Sequence, residues 1–481
     1  MRFLPHTYQF EGIATIIQTR FLALFLDPGL GKTSIVLRAF LTLRKQRKIK
    51  AMLVIAPLRV CHSVWPKEVR KWSFSQGFKV RILHGFNKSF ELKQDADIYI
   101  INPEGLKWLL KTGLRGKRNW PFDMLVVDES SRFKNHESKV LAMFYPKLLK
   151  FRRRYILNGT PAPRGYVDLF AQMLLVDRGE ALGRYITHFR EDFLTSDYMG
   201  WKWSIRSQAC ADEMKRRLAP KVLVMRAKDY LDMPPITFAV RGFDLPDKVM
   251  THYREVEREL FTELETDLDE NTILDLANVA VATGACRQIC SGAIYEPLTL
   301  EQRERPPPSH KRLWHELHTA KLEACLDLIA ELQGKPLFIG YEFHHSYVRL
   351  WAALTARYKG EIAVINRFTK PQEGVKIEDR WNRGGLRVLL AHTASVQYGL
   401  NLQDSGDDVC WFDPTWSLDT FIQFVRRVYR QGKERPVRCH QLAARGTIER
   451  LMLRRLIERH DEEVEIKTGL QRYRRKLSGK Q

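Results

Sequence analysis

The sequence predicts an α/β protein: two doubly wound parallel-sheet domains in tandem, with helical insertions. Three observations carry this expectation. Short apolar runs of strand length alternate with stretches of helical periodicity, the pattern of parallel βαβ units. The alternation comes in two series, separated by a mixed and charged region. A length of 481 residues is too great for one ordinary core and suggests roughly two to four domains. A hydrophobic fraction of 44% with 11 Trp fits packed globular structure rather than disorder.

The first series of strands is expected at Phe21–Leu26, 52–56, 80–83, 97–101, 124–127 and 154–157, each an apolar run too short for a helix. Residues 35–43 carry helical periodicity after the first strand. Residues 178–232 are mixed and aromatic, and 245–282 read as a charged amphipathic helix. Residues 303–309, with Pro306-Pro307-Pro308, form a loop or linker. The second series is expected at 336–340, Ile362–Ile365, 388–391, 409–412 and 437–442. The domains are therefore placed at 1–235, with an insertion at about 178–220, and at 236–481, with an insertion at about 245–312 and a basic tail at 470–481, expected to fray over 472–480. There is no short-period repeat.

Seventy-nine Lys and Arg against 56 Asp and Glu leave a net charge of +23, which favours a polyanionic partner through counterion release. Seven scattered cysteines suit reduced, buried thiols. Cys286 and Cys290 lie one helical turn apart, with no second pair at zinc spacing. No apolar run reaches the roughly 18 residues needed to span a membrane, and the N-terminus lacks a signal-peptide layout. A cytoplasmic, nucleic-acid-associated protein is expected.

The first chemical signal is Leu26-Asp27-Pro28-Gly29-Leu30-Gly31-Lys32-Thr33-Ser34. A buried strand that breaks at glycines and reopens as a helix presents backbone N–H groups to an anion. Lys32 adds a cation and Thr33 a metal-ligand hydroxyl. This is a phosphate-binding loop, although Leu26 stands where a full Walker A loop has its first glycine. Next, 124–129 is an apolar strand ending in Asp128-Glu129. In nucleotide hydrolases the first such acid holds Mg²⁺ and the second polarises the attacking water. By itself this is also a common way to end a strand and cap the next helix. Finally, Gln423, Arg427 and Arg430, spaced by four and three, are expected on one face of one helix ending at Gly432. Two arginines from a second α/β domain can stabilise charge on a γ-phosphate, worth about 10³–10⁵ in rate where such fingers operate. The plainer alternative is a basic, solvated helix.

Taken together these segments resemble the SWI/SNF-type ATPases of helicase superfamily two. Leu4-Pro5 and Tyr8-Gln9 with Gly12 are similar to that family's Q motif, which implies that Gln9 reads adenine. The phosphate loop matches its first motif, with Asp27-Pro28 replacing an acidic-Met lead-in. Residues 53–72, with Ala56-Pro57-Leu58, Trp65, Glu68 and Trp72, resemble motif Ia, and 100–106 stands in the place of motif Ib. Asp128-Glu129-Ser130-Ser131 with Phe133-Lys134-Asn135 resembles the Asp-Glu box, Ser130-Ser131 replacing Ala-His. Residues 157–163 are similar to motif III. In the second half, 286–290, the lysine-led helix from Lys321, 337–343, 389–402, Asp413-Pro414-Thr415-Trp416, 423–432 and 446–449 follow in the family's order. Gly399, Asn401 and Leu402 are in register, and one family glycine is lost at Gln397-Tyr398.

The resemblance implies two RecA-like domains and an ATP-driven motor on duplex or branched DNA, with ATP bound between the domains and Mg²⁺ as cofactor. Lys32 would contact the β/γ-phosphates, with Gly29, Gly31, Ser34, Gly399 and Gln423 also at the nucleotide. Thr33 and Asp128 would hold Mg²⁺, Glu129 would orient water, and Arg427 and Arg430 would reach the γ-phosphate. Arg59, Lys134, Thr393 and Trp416 are candidates for the DNA path, each equally suited to a structural role, and a Trp such as Trp416 more often packs than stacks. A monomer is expected. The alternatives are a strand-separating helicase or RNA-dependent ATPase of the same superfamily, and a non-catalytic binding module that kept the fold.

Overall fold

The computed structural model describes residues 1–114, 120–133, 138–196, 203–266, 283–299, 302, 307–395 and 400–477; of 259–266 and Pro371 it describes the backbone alone. The six apolar runs of the first half pair side by side and are joined by a seventh. The sheet runs Val80–Ile82, Ile98–Ile101, Met52–Ile55, Met124–Asp128, Arg153–Asn158, Phe21–Leu26, Val222–Met225, and every pairing is parallel. Parallel strands covered on both faces need continuous apolar sequence, and Met52–Ile55 and Ile98–Ile101 are buried at every position.

A second parallel sheet runs Ile236–Phe243, Val437–Ala444, Asp408–Trp411, Leu337–Tyr341, Val388–His392, Ile362–Ile365. Its pleat sorts side chains by parity. Val388 and Leu390 enter one core with Leu337 and Ile339, while Leu389 and Ala391 enter the other with Phe338 and Trp381. The expected class, two tandem parallel α/β sheets with helices, is the one found.

Two strands were not anticipated. Val222–Met225 is only four residues long and follows a 3-10 turn. Ile236–Phe243 is an edge strand whose residues Thr237, Phe238, Ala239 and Val240 are exposed, so it carries no burial pattern to read. The region expected as an insertion at 178–220 contains helices Ile186–Phe193 and Gln208–Leu218 and a small hairpin of Leu194–Ser196 with Trp203–Ile205.

The chain divides into two compact units, Met1–Asp232 with Arg459–Gln481, and Met233–Glu458. Residues 459–481 were expected in the second domain but group with the first. The reason is apolar: Ile466 and Leu470, one turn apart, are buried in the first unit's core. The tail expected to fray from 472 is helical to Leu477, the end of helix Ile448–Leu477. Six of the seven cysteines are buried. Among the described residues no helix is long and apolar enough to cross a membrane.

Candidate active site

The phosphate loop leaves strand Phe21–Leu26 and enters helix Lys32–Lys45. Gly29 (φ 96°) and Gly31 (φ 76°) take left-handed backbone that a β-carbon would strain. At Gly31 there is also no room, since a Cβ would lie 2.6 Å from Gln9 Nε2. No side chain caps this helix N-terminus, so its first-turn N–H groups carry the positive end of the dipole toward the loop. Lys32 Nζ donates to the Leu26 carbonyl at 2.8 Å, and Ser34 Oγ donates to the Gly31 carbonyl at 2.9 Å. Gln9 is buried against the loop: its Oε1 accepts from His6 N (3.1 Å) and its Nε2 donates to the Leu30 carbonyl (3.3 Å). Thr33 follows Lys32 in the first turn and is half-buried.

Asp128 ends the strand two places along the sheet, with Arg153–Asn158 between it and the strand of the loop. Both groups therefore stand at the carboxyl ends of parallel strands, where ligands bind in open α/β sheets. The residue is half-buried, but its carboxyl lies among packed atoms, and that desolvation pushes its pKa up. Three groups oppose the shift. The Trp65 indole N–H donates to Oδ2 at 2.9 Å, the Lys32 ammonium lies within Coulombic reach, and Glu129 N–H donates to Oδ1 at 3.1 Å. Lys32 and Asp128, nearly a hundred residues apart, thus belong to one site. Glu129 sits at φ 55°, left-handed backbone that costs a non-glycine residue about 1–2 kcal/mol.

The Asp-Glu box and the motif III segment are joined by a residue that sequence reasoning missed. Gln172 is fully buried on helix Val167–Asp177. Its Oε1 accepts from Ser130 Oγ (2.7 Å) and Asn158 Nδ2 (2.9 Å), and its Nε2 donates to the carbonyls of Pro161 (2.7 Å) and Asp168 (2.8 Å). Ser130, which stands in the place of the family's Ala, thus finds its partner in Gln172. The available signal was a lone polar residue inside the apolar run 169–176.

In the second unit one expectation needs correction. Gln423, Arg427 and Arg430 do not share a helix, because helix Leu418–Val425 ends before the arginines. Past its end Arg427 N and Val428 N bond three residues back, tightening the chain into a turn, and the Arg427 carbonyl accepts from Leu402 N (2.9 Å). The arginines still converge, each donating an Nη1 to the Leu400 carbonyl at 3.1 and 3.0 Å. Gln423 Nε2 donates to Asp419 Oδ1 (2.8 Å), while its buried Oε1 has no hydrogen-bond partner among the described residues. Of the DNA-path candidates, Arg59 is half-buried on helix Leu58–Lys71, Thr393 is buried, and Trp416 packs half-buried against the core. Lys134 and Gly399 lie outside the described residues.

An SNF2-related domain matches residues 17–293, more than half of the chain, and a helicase conserved C-terminal domain matches 320–432. The chain belongs to the SNF2-related family. Among its relatives, protein p41 of Acyrthosiphon pisum secondary endosymbiont phage 1 is 31% identical over 470 residues, covering 94% of this chain and 95% of that one. CHD3-type chromatin-remodeling factor CHR7 of Arabidopsis thaliana is 24% identical over 470 residues, covering 93% of this chain and 36% of that protein. The Sulfolobus solfataricus SWI2/SNF2 ATPase core in complex with dsDNA is 22% identical, covers 98% of this chain and 94% of that one, and has a TM-score of 0.45. The chain therefore spans nearly all of the phage protein and about a third of the plant one.

Several segments that carried the SNF2 resemblance in the second half prove to be internal wiring. Lys321 Nζ is buried against the Glu449 carboxylate and donates to Ser291 Oγ at 3.4 Å. Burial pushes the Glu449 pKa up, with Lys321 opposing. Asp413 accepts from Ser291 Oγ (2.6 Å), Ser346 Oγ (3.2 Å) and the backbone N–H groups of Glu342 (2.9 Å) and Phe343 (3.2 Å). These groups position backbone and are satisfied within the protein.

Proposed function

We propose that this SNF2-related chain is an ATP-driven motor that moves along double-stranded or branched DNA without reading its sequence. One observation supports the hydrolytic part above all. The phosphate loop and Asp128 stand at the carboxyl ends of strands in one sheet, with the Lys32 ammonium within Coulombic reach of that carboxylate. The assigned roles follow from chemistry. The loop N–H groups and Lys32 bind the β- and γ-phosphates, and Gln9, Gly29, Gly31, Ser34, Gly399 and Gln423 complete the nucleotide contacts. The donor set fits a hard divalent cation, since Asp128 offers carboxylate oxygens and Thr33 a hydroxyl oxygen. When bound, Mg²⁺ neutralises charge on the β/γ oxygens. Glu129 orients the attacking water, and Arg427 and Arg430 stabilise charge on the γ-phosphate.

The net charge of +23 and a family that includes a chromatin-remodelling factor support DNA as the polymer. Grip on phosphates positions a protein without specifying sequence, and Arg59, Lys134, Thr393 and Trp416 are assigned to that path. The deciding experiment measures ATP hydrolysis with duplex DNA, forked DNA, single strands and RNA at fixed salt. Greatest stimulation by duplex or forked DNA, without separation of strands, is the expected result. Stimulation by single strands or RNA alone would establish the helicase or RNA-dependent reading instead, and no hydrolysis with any polymer would leave a binding module.

A further inference from the structure

The lead-in to the phosphate loop is held by a residue 440 positions away in sequence. Lys467, on the C-terminal part of helix Ile448–Leu477, extends its ammonium to Asp27, the first residue after strand Phe21–Leu26. The two side chains are about nine-tenths buried (8% and 10% exposed), and Lys467 Nζ also donates to the Gly159 carbonyl at 3.1 Å. Asp27 is engaged on every side. Its Oδ2 accepts from Ala227 N (3.0 Å), its N–H donates to the Met225 carbonyl (3.0 Å), and its carbonyl accepts from Leu30 N (3.3 Å). Gly159 presses on the next loop residue, because a Cβ there would lie 2.9 Å from Pro28 Cδ.

The helix segment that carries Lys467 is itself fixed to the same unit. Thr468 accepts from Arg226 Nη1 (2.6 Å), Gln471 Nε2 donates to Asp229 Oδ2 (3.0 Å), and Arg474 Nη1 donates to the Val222 carbonyl (2.8 Å). One ammonium therefore meets the loop's acidic lead-in and the motif III backbone together, from a helix clamped along the edge strand Val222–Met225.

We propose that Lys467 is a positioning residue for the phosphate loop: it neutralises buried Asp27 and fixes where the loop leaves the sheet, and thereby where Lys32 and the glycine N–H groups stand. Lys32 donates to the carbonyl of Leu26, the residue before Asp27, so a shift of the lead-in moves the cation that meets phosphate. This deepens the proposed ATPase reading and rests on it. The chemistry requires a cation at 467 only while an anion stands at 27.

The test compares wild type, Lys467→Met, Lys467→Arg and the double variant Asp27→Asn/Lys467→Met in the full chain. Steady-state kinetics give KM and kcat for ATP, and amide hydrogen exchange is read at Leu30 and Ala227. Lys467→Met is expected to raise KM by about tenfold or more, as loss of a charge-assisted contact would, and to speed exchange at those two amides while the Met52–Ile55 strand stays protected. Lys467→Arg should keep KM within about threefold of wild type. The double variant, which leaves no unpaired buried charge, should recover most of the lost affinity. Unchanged KM with unchanged local exchange would overturn the proposal, and so would faster exchange spread evenly over the whole first unit. Wild-type chain that hydrolyses no ATP would sink the ATPase reading instead, and the exchange measurement would still decide the role of Lys467.

Discussion

Replacing Gln172 by Leu tests whether the Asp-Glu box is wired to motif III through one buried amide. The swap nearly preserves volume, so the effect reports lost hydrogen bonds rather than a cavity. Gln172 makes four such bonds in a site with no solvent exposure. The Asp168 carbonyl lies one helical turn back from Gln172 and keeps its place in the ladder of helix Val167–Asp177, so its loss is minor. Three groups are orphaned: the Ser130 hydroxyl, the Asn158 amide and the Pro161 carbonyl. At about 1–3 kcal/mol for each unsatisfied buried group, partly relieved by rotation, the expected destabilisation is about 4 kcal/mol. Urea unfolding followed by far-UV circular dichroism measures it, on the transition of the first unit. Adding Ser130→Ala removes one orphan and should restore about 1 kcal/mol, a coupling diagnostic of direct contact. ATP turnover should also fall at unchanged nucleotide affinity, because Ser130 directly follows Glu129. A loss below about 1 kcal/mol, or no recovery in the double variant, would refute the hub.

Three further outcomes follow from the same site. Glu129→Gln should retain ATP binding and abolish turnover, read by equilibrium binding beside steady-state hydrolysis; normal turnover would remove Glu129 from its role. Arg430→Ala should lower kcat far more than ATP affinity, and Arg427 remains to satisfy the Leu400 carbonyl, so folding should survive; a pure affinity loss would assign the arginine to the ground state. Asp128, whose pKa is raised in the fold, should give the free protein a stability contribution that is full below the ordinary carboxylate value of about 4 and lost as pH rises through the raised value. Asp128→Asn should flatten that slope in urea unfolding run across pH, and an unchanged slope would place the titration elsewhere.

The sequence by itself determined what is local. A parallel strand buried on both faces must be a short apolar run, so eleven of the thirteen strands in the two sheets could be read, most to within one or two residues. The left-handed turns of the phosphate loop require glycine, so Gly29 and Gly31 marked the loop before any contact was known. Pairing Lys32 with Asp128 was legible because each motif ends a strand, and parallel strands end on one edge.

Tertiary structure decided what depends on partners far apart in the chain. Edge strand Ile236–Phe243 exists because Val437–Ala444 offers it a ladder, and its exposed residues carry no sign of that. Helix Leu418–Val425 gives way to bonds three residues back at Arg427 and Val428, and Leu402 takes the Arg427 carbonyl, a change invisible in the spacing of Gln423, Arg427 and Arg430. Gln172 and Lys467 have the same origin: a buried polar group must find a partner, but which partner is set by the packing of whole elements. Propensity and periodicity record a residue's preference for its neighbours in sequence. They do not record which distant carbonyl or carboxylate the finished fold brings within 3 Å.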